Sequence, residues 1–393
     1  MKNVAAALVL VLVATGCGPE VIDVPAPDDG VAVTVIDPVA LESAPALEVR
    51  EAVVIDGEGA GFSHLPGLVT RGDTIIALDQ MACEVFVFDG AGRLVRRFGG
   101  EGDGPGELRR PDRMAISGDT LFIIDQRGLS QFLVDGTFLS RVAIDTRAAG
   151  GTPNFLPHPQ SLAPADGRLI TSFSGRRSRP PDGTFADTVP IHPLTRAGEV
   201  LPAIAGVITD HIHRVDTGMD APALFAGRSS FVVAPGGSIY VSRQDGVHID
   251  VLSRDGEPMG RLRLDVPRRE VTSRDVDSAL NRIEQSFGAA GVEALTAKRK
   301  RALRRLPYVR YRPAVGRMVA GEEDLLLVQR LDLSPVYPMD TDEVVWDLVR
   351  ADASIEGRIT LPGRFRPWVV EQRRLTGIYS DSADVPTIVQ YAW

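Results

Sequence analysis

The sequence predicts an all-β fold, a six-bladed β-propeller with a two-helix insertion, and three observations predict it. First, two segments repeat in order and spacing. Gly57, Gly59, Gly61 and Pro66 fall on Gly102, Gly104, Gly106 and Pro111, 45 residues later. Gly72-Asp73-Thr74, Asp79-Gln80 and Asp89-Gly90 fall on Gly118-Asp119-Thr120, Asp125-Gln126 and Asp135-Gly136, 46 residues later. Self-similarity at a fixed period marks an array of like units. Second, each unit reads as four short strands. LVTRGDTIIALD holds two apolar runs around a Gly-Asp turn, and EVFVFDGAGRLVRRF holds two more around an Asp-Gly hairpin. Four antiparallel strands per unit is the pattern of a propeller blade, which buries both faces only by stacking around an axis. Third, strand-and-turn patterning continues to the C-terminus and is broken once, by a stretch of helical period.

Taken in order, residues 1–16 read as a signal peptide. Lys2 supplies a positive start, Val4–Ala14 is an uncharged apolar run, and Ala14, Thr15 and Gly16 are small residues before Cys17. The run is too short to span ~30 Å of hydrocarbon. The segment resembles a bacterial lipoprotein signal, which implies cleavage before Cys17 and acylation of that cysteine. Acyl chains contribute about 0.8 kcal/mol per buried CH₂, so several together anchor stably. Gly18 in place of Asp after the cysteine implies, by the same resemblance, export to the outer membrane of a two-membrane bacterium. Residues 17–30 are rich in Pro, Asp and Gly and read as a flexible tether. The propeller is expected over 31–393.

Blades one and two are the aligned repeats. Asp166–Ile204 suggests a third blade, Ala234–Asp265 a fourth, Gly321–Leu361 a fifth, and Pro367–Trp393 ends the chain in strands. The runs Val31–Ile36 and Leu47–Ile55 are expected to complete this last blade, closing the ring with both ends of the chain and removing exposed sheet edges. Six blades is the count, with seven left open by the long, irregular third unit. Residues 272–306 carry the insertion. Thr272 and Asp275 form a capping box. Val276, Ala279, Leu280, Ile283 and Phe287 share one face of a first helix. A second helix follows Gly291, with Lys298, Arg299, Lys300, Arg301, Arg304 and Arg305 as a charged face for solvent or for anionic headgroups.

Composition narrows the function. The 393 residues are 44% hydrophobic and 24% charged, as in a folded globular protein. A net charge of −9 argues against a nucleic-acid partner. Lysine occurs only at 2, 298 and 300. The two cysteines, Cys17 and Cys83, exclude a disulfide framework, and Cys83 before an apolar strand reads as a buried thiol.

FGGEGDGPGELRRP (Phe98–Pro111), followed by GDTLFIIDQ, resembles the NHL-like six-bladed propellers of bacterial envelopes, many of them lipoproteins. The resemblance implies the fold and leaves function open, because propellers host binding, scaffold, lyase and lactonase roles alike. Some NHL-like lyases hold zinc at the channel mouth with histidines, which implies a comparable set in His64, His158 and His211. Three imidazoles and one open position would activate water or polarise a carbonyl. Glu101, Asp103 and Glu107 in the glycine-rich loop offer oxygens to calcium without EF-hand spacing, and the same carboxylates would repel phosphate. The structural reading of that loop is a blade-to-blade connection needing positive φ. Lactonase-like propellers hold calcium with acidic and amide groups, and Asn occurs here only at 3, 154 and 281. No nucleophile elbow, His-Glu-x-x-His, Cys-x-x-Cys or P-loop occurs. The expectation is therefore a noncatalytic binding or scaffold module for a protein, peptide or glycan, without a catalytic set and without a cofactor. The alternative is a metal-dependent lyase or hydrolase with zinc or calcium at the channel mouth.

Overall fold

The computed structural model describes residues 21–393 except 25, 152–156, 166, 175–183, 216–218, 228, 290–302 and 334–341, and leaves out the side chains of some strand and helix residues, His158 and His211 among them. Six antiparallel sheets form the body. Blade 1 is Gly67–Arg71, Thr74–Asp79, Glu84–Phe88 and Leu94–Gly99. Blade 2 is Arg113–Ser117, Thr120–Asp125, Gly128–Leu133 and Phe138–Val142. Blade 3 has five strands, His158–Ala165, Arg168–Ser174, Thr184–Leu194, Ala205–Val215 and Met219–Pro222. Blade 4 is Phe231–Val233, Ile239–Ser242, His248–Leu252 and Pro258–Leu264. Blade 5 is Val315–Ala320, Leu325–Arg330, Glu343–Arg350 and Ile355–Pro362. Blade 6 is Phe365–Glu371, Arg374–Ser380 and Pro386–Ala392. The first strand of each blade touches the first strands of both neighbours, and blade 6 returns to blade 1, so the ring is closed. The extra length of the third unit is a fifth strand, not a seventh blade.

Alternation of side chains along each strand builds the core between blades. On the second strand of blade 1, Ile75 and Ala77 pack against Ile378 and Ile388 of blade 6, while Ile76 and Leu78 pack with Leu121 and Ile123 of blade 2. Equivalent clusters fill the remaining four gaps: Phe122 with Phe173, Ile170 with Ile239, Tyr240 with Val328, and Trp346 in the cluster that holds Tyr391. A blade is thus apolar on both faces, which explains why its central strands read as continuous apolar runs.

The chain before blade 1 is a belt around the outer rim. Val33–Ile36 pairs in parallel with Pro258–Leu264 as the outermost strand of blade 4. A short helix, Pro38–Glu42, follows, and Ala46 bridges in parallel to Arg358 at the outer edge of blade 5. Arg50–Ile55 then pairs antiparallel with Pro386–Ala392 and completes blade 6. The expectation for Leu47–Ile55 holds over Arg50–Ile55, whereas Leu47 N donates to Arg358 O of blade 5 at 2.8 Å. Val31–Ile36 belongs to blade 4 instead of the last blade, because parallel pairing to a distant strand leaves no local trace in the sequence. Where described, the expected tether also lies along the domain. Val21–Ile22 pairs in parallel with Tyr308–Val309, and both carboxylate oxygens of Asp29 accept from Arg261 at 2.8 Å.

The helix Ser273–Ala289 fulfils the first half of the insertion. Its capping box closes reciprocally: Thr272 N donates to Asp275 Oδ2 at 3.0 Å and Asp275 N donates to Thr272 Oγ1 at 3.3 Å. Val276, Ala279 and Leu280 pack with Ala223–Ala226, Leu303, Leu306 and Val309, a cluster apart from the six between blades. The body of the second expected helix lies outside the described residues. No described helix is long and apolar enough to cross a membrane.

Candidate functional site

The loops leading into the first strands line one end of the central channel, and buried carboxylates set their shape. Asp79, fully buried, accepts from the backbone N–H groups of Ser63, Met81 and Ala82 at 2.6, 2.9 and 3.0 Å. Asp125 does the same one blade on, with Arg109, Arg127 and Gly128 at 3.0, 2.8 and 3.1 Å. The repeated Asp-Gln dipeptide is therefore a device that ties the end of a blade's second strand to the loop before its first. Gln80 N donates to His64 O at 2.9 Å, as Gln126 N does to Arg109 O at 3.0 Å.

From these pinned loops a polar chain crosses three blades. Gln80 Nε2 donates to Pro111 O at 3.1 Å and to Asp112 Oδ1 at 3.4 Å. Arg113 Nη1 donates to Asp112 Oδ1 at 2.8 Å, and Arg113 Nε to Gln160 O at 2.9 Å. Blade 6 contributes Arg366 and Trp368 from its first strand. Asp112, Arg113, Gln160, Arg366 and Trp368 line a cavity of about 610 Å³ at the channel mouth, with His64 and Asp384 on its wall, and Gln80 acts on it only through its bonds to Pro111 and Asp112. Trp368 is 37% exposed, while Trp346, equally large, is 2% exposed in the core. Arg113 is neutralised by Asp112, whereas Arg366 makes no ion pair among the described residues. The site thus offers an aromatic face, an unspent guanidinium and fixed donors and acceptors, the composition of a pocket for a polar ligand.

The three histidines singled out in the sequence are distributed as follows. His64 lines the cavity. His158 opens the first strand of blade 3, whose Gln160, Ser161 and Leu162 line the same cavity. His211 lies on the fourth strand of that blade, three strand spacings or about 14 Å outward from the first strand. The side chains of His158 and His211 are outside the described residues. Among the described residues no group of three or more His, Cys, Asp or Glu is placed to hold a metal ion. Two other histidines are buried in blades: His192 Nδ1 with Leu201 O at 2.8 Å, and His248 Nδ1 with Asp245 Oδ2 at 2.6 Å.

The glycine-rich loop joins blades 1 and 2, and Gly99 and Gly100 adopt φ of 104° and 113°, as a connection of this type requires. Two of its carboxylates are engaged: Glu107 accepts from Gly104 N at 2.7 Å, and Asp103 pairs with Arg109 at 3.1 Å and Arg127 at 2.5 Å. Cys83 is buried. The wall residues Asp112, Arg113, Gln160, Arg366 and Trp368 carry no sequence motif. Gln80, which bonds to Asp112 without lining the cavity, does announce itself, through its place in the repeat.

Comparison with known proteins agrees with the architecture. Residues 65–150 match the family described as "6-bladed beta-propeller". No curated protein matches the sequence. Among solved structures, a member of the DUF4221 family from Bacteroides vulgatus is 10% identical, with a TM-score of 0.47, 89% of this chain and 97% of that one covered. A candidate exported protein from Bacteroides fragilis is 10% identical, with a TM-score of 0.46 and coverage of 91% and 99%. The calcium-binding protein regucalcin from Agrobacterium tumefaciens is 13% identical, with a TM-score of 0.42 and coverage of 88% and 95%.

Proposed function

We propose that this six-bladed propeller is a bacterial envelope lipoprotein, acylated at Cys17, that binds a glycan at the mouth of its central channel. The observation that carries the binding reading is the cavity of about 610 Å³, lined by exposed Trp368, by Arg366, which has no ion pair among the described residues, and by the bonded chain Asp112–Arg113–Gln160. An indole presents a flat apolar surface to the C–H face of a sugar ring. Planar amide, carboxylate and guanidinium groups around it hydrogen-bond neighbouring hydroxyls in pairs. Because backbone and side-chain bonds already hold Asp112 and Arg113, little ordering cost accompanies their engagement. The signal-like segment 1–16 and Gly18 support the envelope address, with the outer membrane as destination.

The test is titration calorimetry with a panel of bacterial envelope oligosaccharides on wild type, Trp368→Ala and Arg366→Ala. Binding by at least one oligosaccharide, weakened about tenfold or more in Trp368→Ala, supports the reading, since loss of one aromatic contact in a buried site is worth about 1.4 kcal/mol or more. Wild-type affinity in both variants, or no binding across the panel, overturns it.

A further inference from the structure

We infer that the propeller sits with its cavity-bearing face toward the bilayer, held there by a leash too short to let it turn over. The inference rests on acylation at Cys17 and adds an orientation to it. Within a blade the first strand runs away from the cavity mouth, and the fourth returns to it. The connection from the fourth strand of blade 4 to the first strand of blade 5 therefore emerges on the cavity face. That connection, residues 265–314, contains the insertion, residues 272–306. The N-terminal segment is fastened to it. Val21–Ile22 pairs in parallel with Tyr308–Val309, Arg310 N donates to Ile22 O at 3.0 Å, and Ile22 and Val24 pack on the cluster formed with the helix Ser273–Ala289. Arg310 and Asp23 add an ion pair at 3.3 Å.

Only Gly18, Pro19 and Glu20 separate Cys17 from Val21. Four residue steps span at most about 14 Å. A compact chain of this length has a radius of gyration of about 21 Å. The opposite end of the channel is thus farther from Val21 than the leash reaches, and the insertion, with the face of the ring that also carries the cavity, stays toward the headgroups. The partner of this face is a lipid surface, and a ligand of the cavity approaches within or along the membrane plane.

The experiment uses the full acylated chain on phosphatidylethanolamine–phosphatidylglycerol vesicles carrying a headgroup nitroxide. Cys83 is buried and Cys17 is acylated, so a fluorescent thiol label goes only to an introduced cysteine. Arg305→Cys and Ser382→Cys report on the insertion and the cavity face. Ala91→Cys and Gly236→Cys report on the opposite face, and Met259→Cys on the rim of blade 4. The labels at 305 and 382 are expected to be quenched about threefold or more over those at 91 and 236. Inserting twenty Gly/Ser residues after Glu20 is expected to erase the difference while vesicle binding persists, because the leash then averages about 25 Å. Equal quenching at all sites, or strongest quenching at 91, 236 or 259, overturns the orientation while leaving the anchor in place. A wild-type chain that gains no acyl mass and does not float with vesicles removes both.

Discussion

Asp347 lies fully buried on the third strand of blade 5, between Arg330 Nη1 at 2.5 Å and Arg358 Nε at 2.6 Å. Arg330 is itself 4% exposed and also holds Asp332. Removing one member of a buried charge network strands the others, at a cost of about 3–5 kcal/mol. Asp347→Ala is accordingly expected to lose stability in that range in urea denaturation, and a loss below about 1 kcal/mol would show that water reaches the arginines. Asp79→Ala acts through another mechanism, leaving three backbone donors without their acceptor at about 1–3 kcal/mol for an unsatisfied group. Acid sensitivity has its own residues. Arg261 holds the Asp29 carboxyl down to about 2 through paired hydrogen bonds. A lowered native value means that the contribution is complete above the ordinary value of 3.8 and is lost as pH falls toward 2. Burial pushes Glu371 up, helped by nearby Glu322 and Asp73. Its contribution is complete below its ordinary value of 4.5 and is lost as pH rises past it. Asp29→Asn is expected to flatten the fall in Tm between pH 4 and pH 2, and Glu371→Gln to raise Tm at pH 7 relative to pH 4. An unchanged Tm–pH curve in either variant would contradict the assignment for that residue.

At the scale of elements, the outer strand Val33–Ile36 is latched at one end by Asp29 on Arg261 and buried at the other by Ile36, which is 0% exposed. Ile36→Ala is expected to cost about 2–5 kcal/mol, the usual range for truncating a fully buried aliphatic, and protease-accessibility measurements should show residues 21–48 opening before the blades. Simultaneous loss of belt and blades would refute that order. These elements also show what the sequence made legible. Blades 1 and 2 were readable because hairpins are local and their Gly-Asp and Asp-Gly turns demand particular residues. The helix Ser273–Ala289 was readable from its capping box and its single apolar face. Blade 3 was blurred by a fifth strand, and the belt was invisible because a parallel edge pairing has no turn chemistry between its partners. The site was the least legible. Asp112, Arg113, Gln160, Arg366 and Trp368 come from three blades and meet only when the ring closes, so no spacing in the chain encodes them. His64 reached the cavity as expected because it precedes a first strand. His211 lies inside the fourth strand of its blade, Ala205–Val215, and nothing local in the chain marks how far that strand stands from the axis.

For the whole molecule the decisive contact is the one between its two ends. Arg50–Ile55 lies on Pro386–Ala392, and Val53 and Ile55 enter the cluster shared by blades 6 and 1. Without that strand blade 6 would present an open edge and lose apolar cover on the side facing blade 1. The cavity would suffer with it, since Arg366 and Trp368 belong to blade 6 while His64 belongs to the loop of blade 1. Two proline substitutions separate ring closure from the presence of an outer strand. Val54→Pro and Thr34→Pro both fall at exposed positions of N-terminal outer strands, paired with Val389 and Leu262 respectively. Each removes a backbone donor and restricts φ, with little effect on core packing. If closure dominates, Val54→Pro lowers the urea midpoint by about twice as much as Thr34→Pro or more, broadens the transition and weakens ligand binding at the channel mouth, whereas Thr34→Pro leaves the transition sharp. Equal shifts in the two variants would mean that blade 6 stands without its six-residue seam of N-terminal strand, and that the ring is held by the six cores between blades alone.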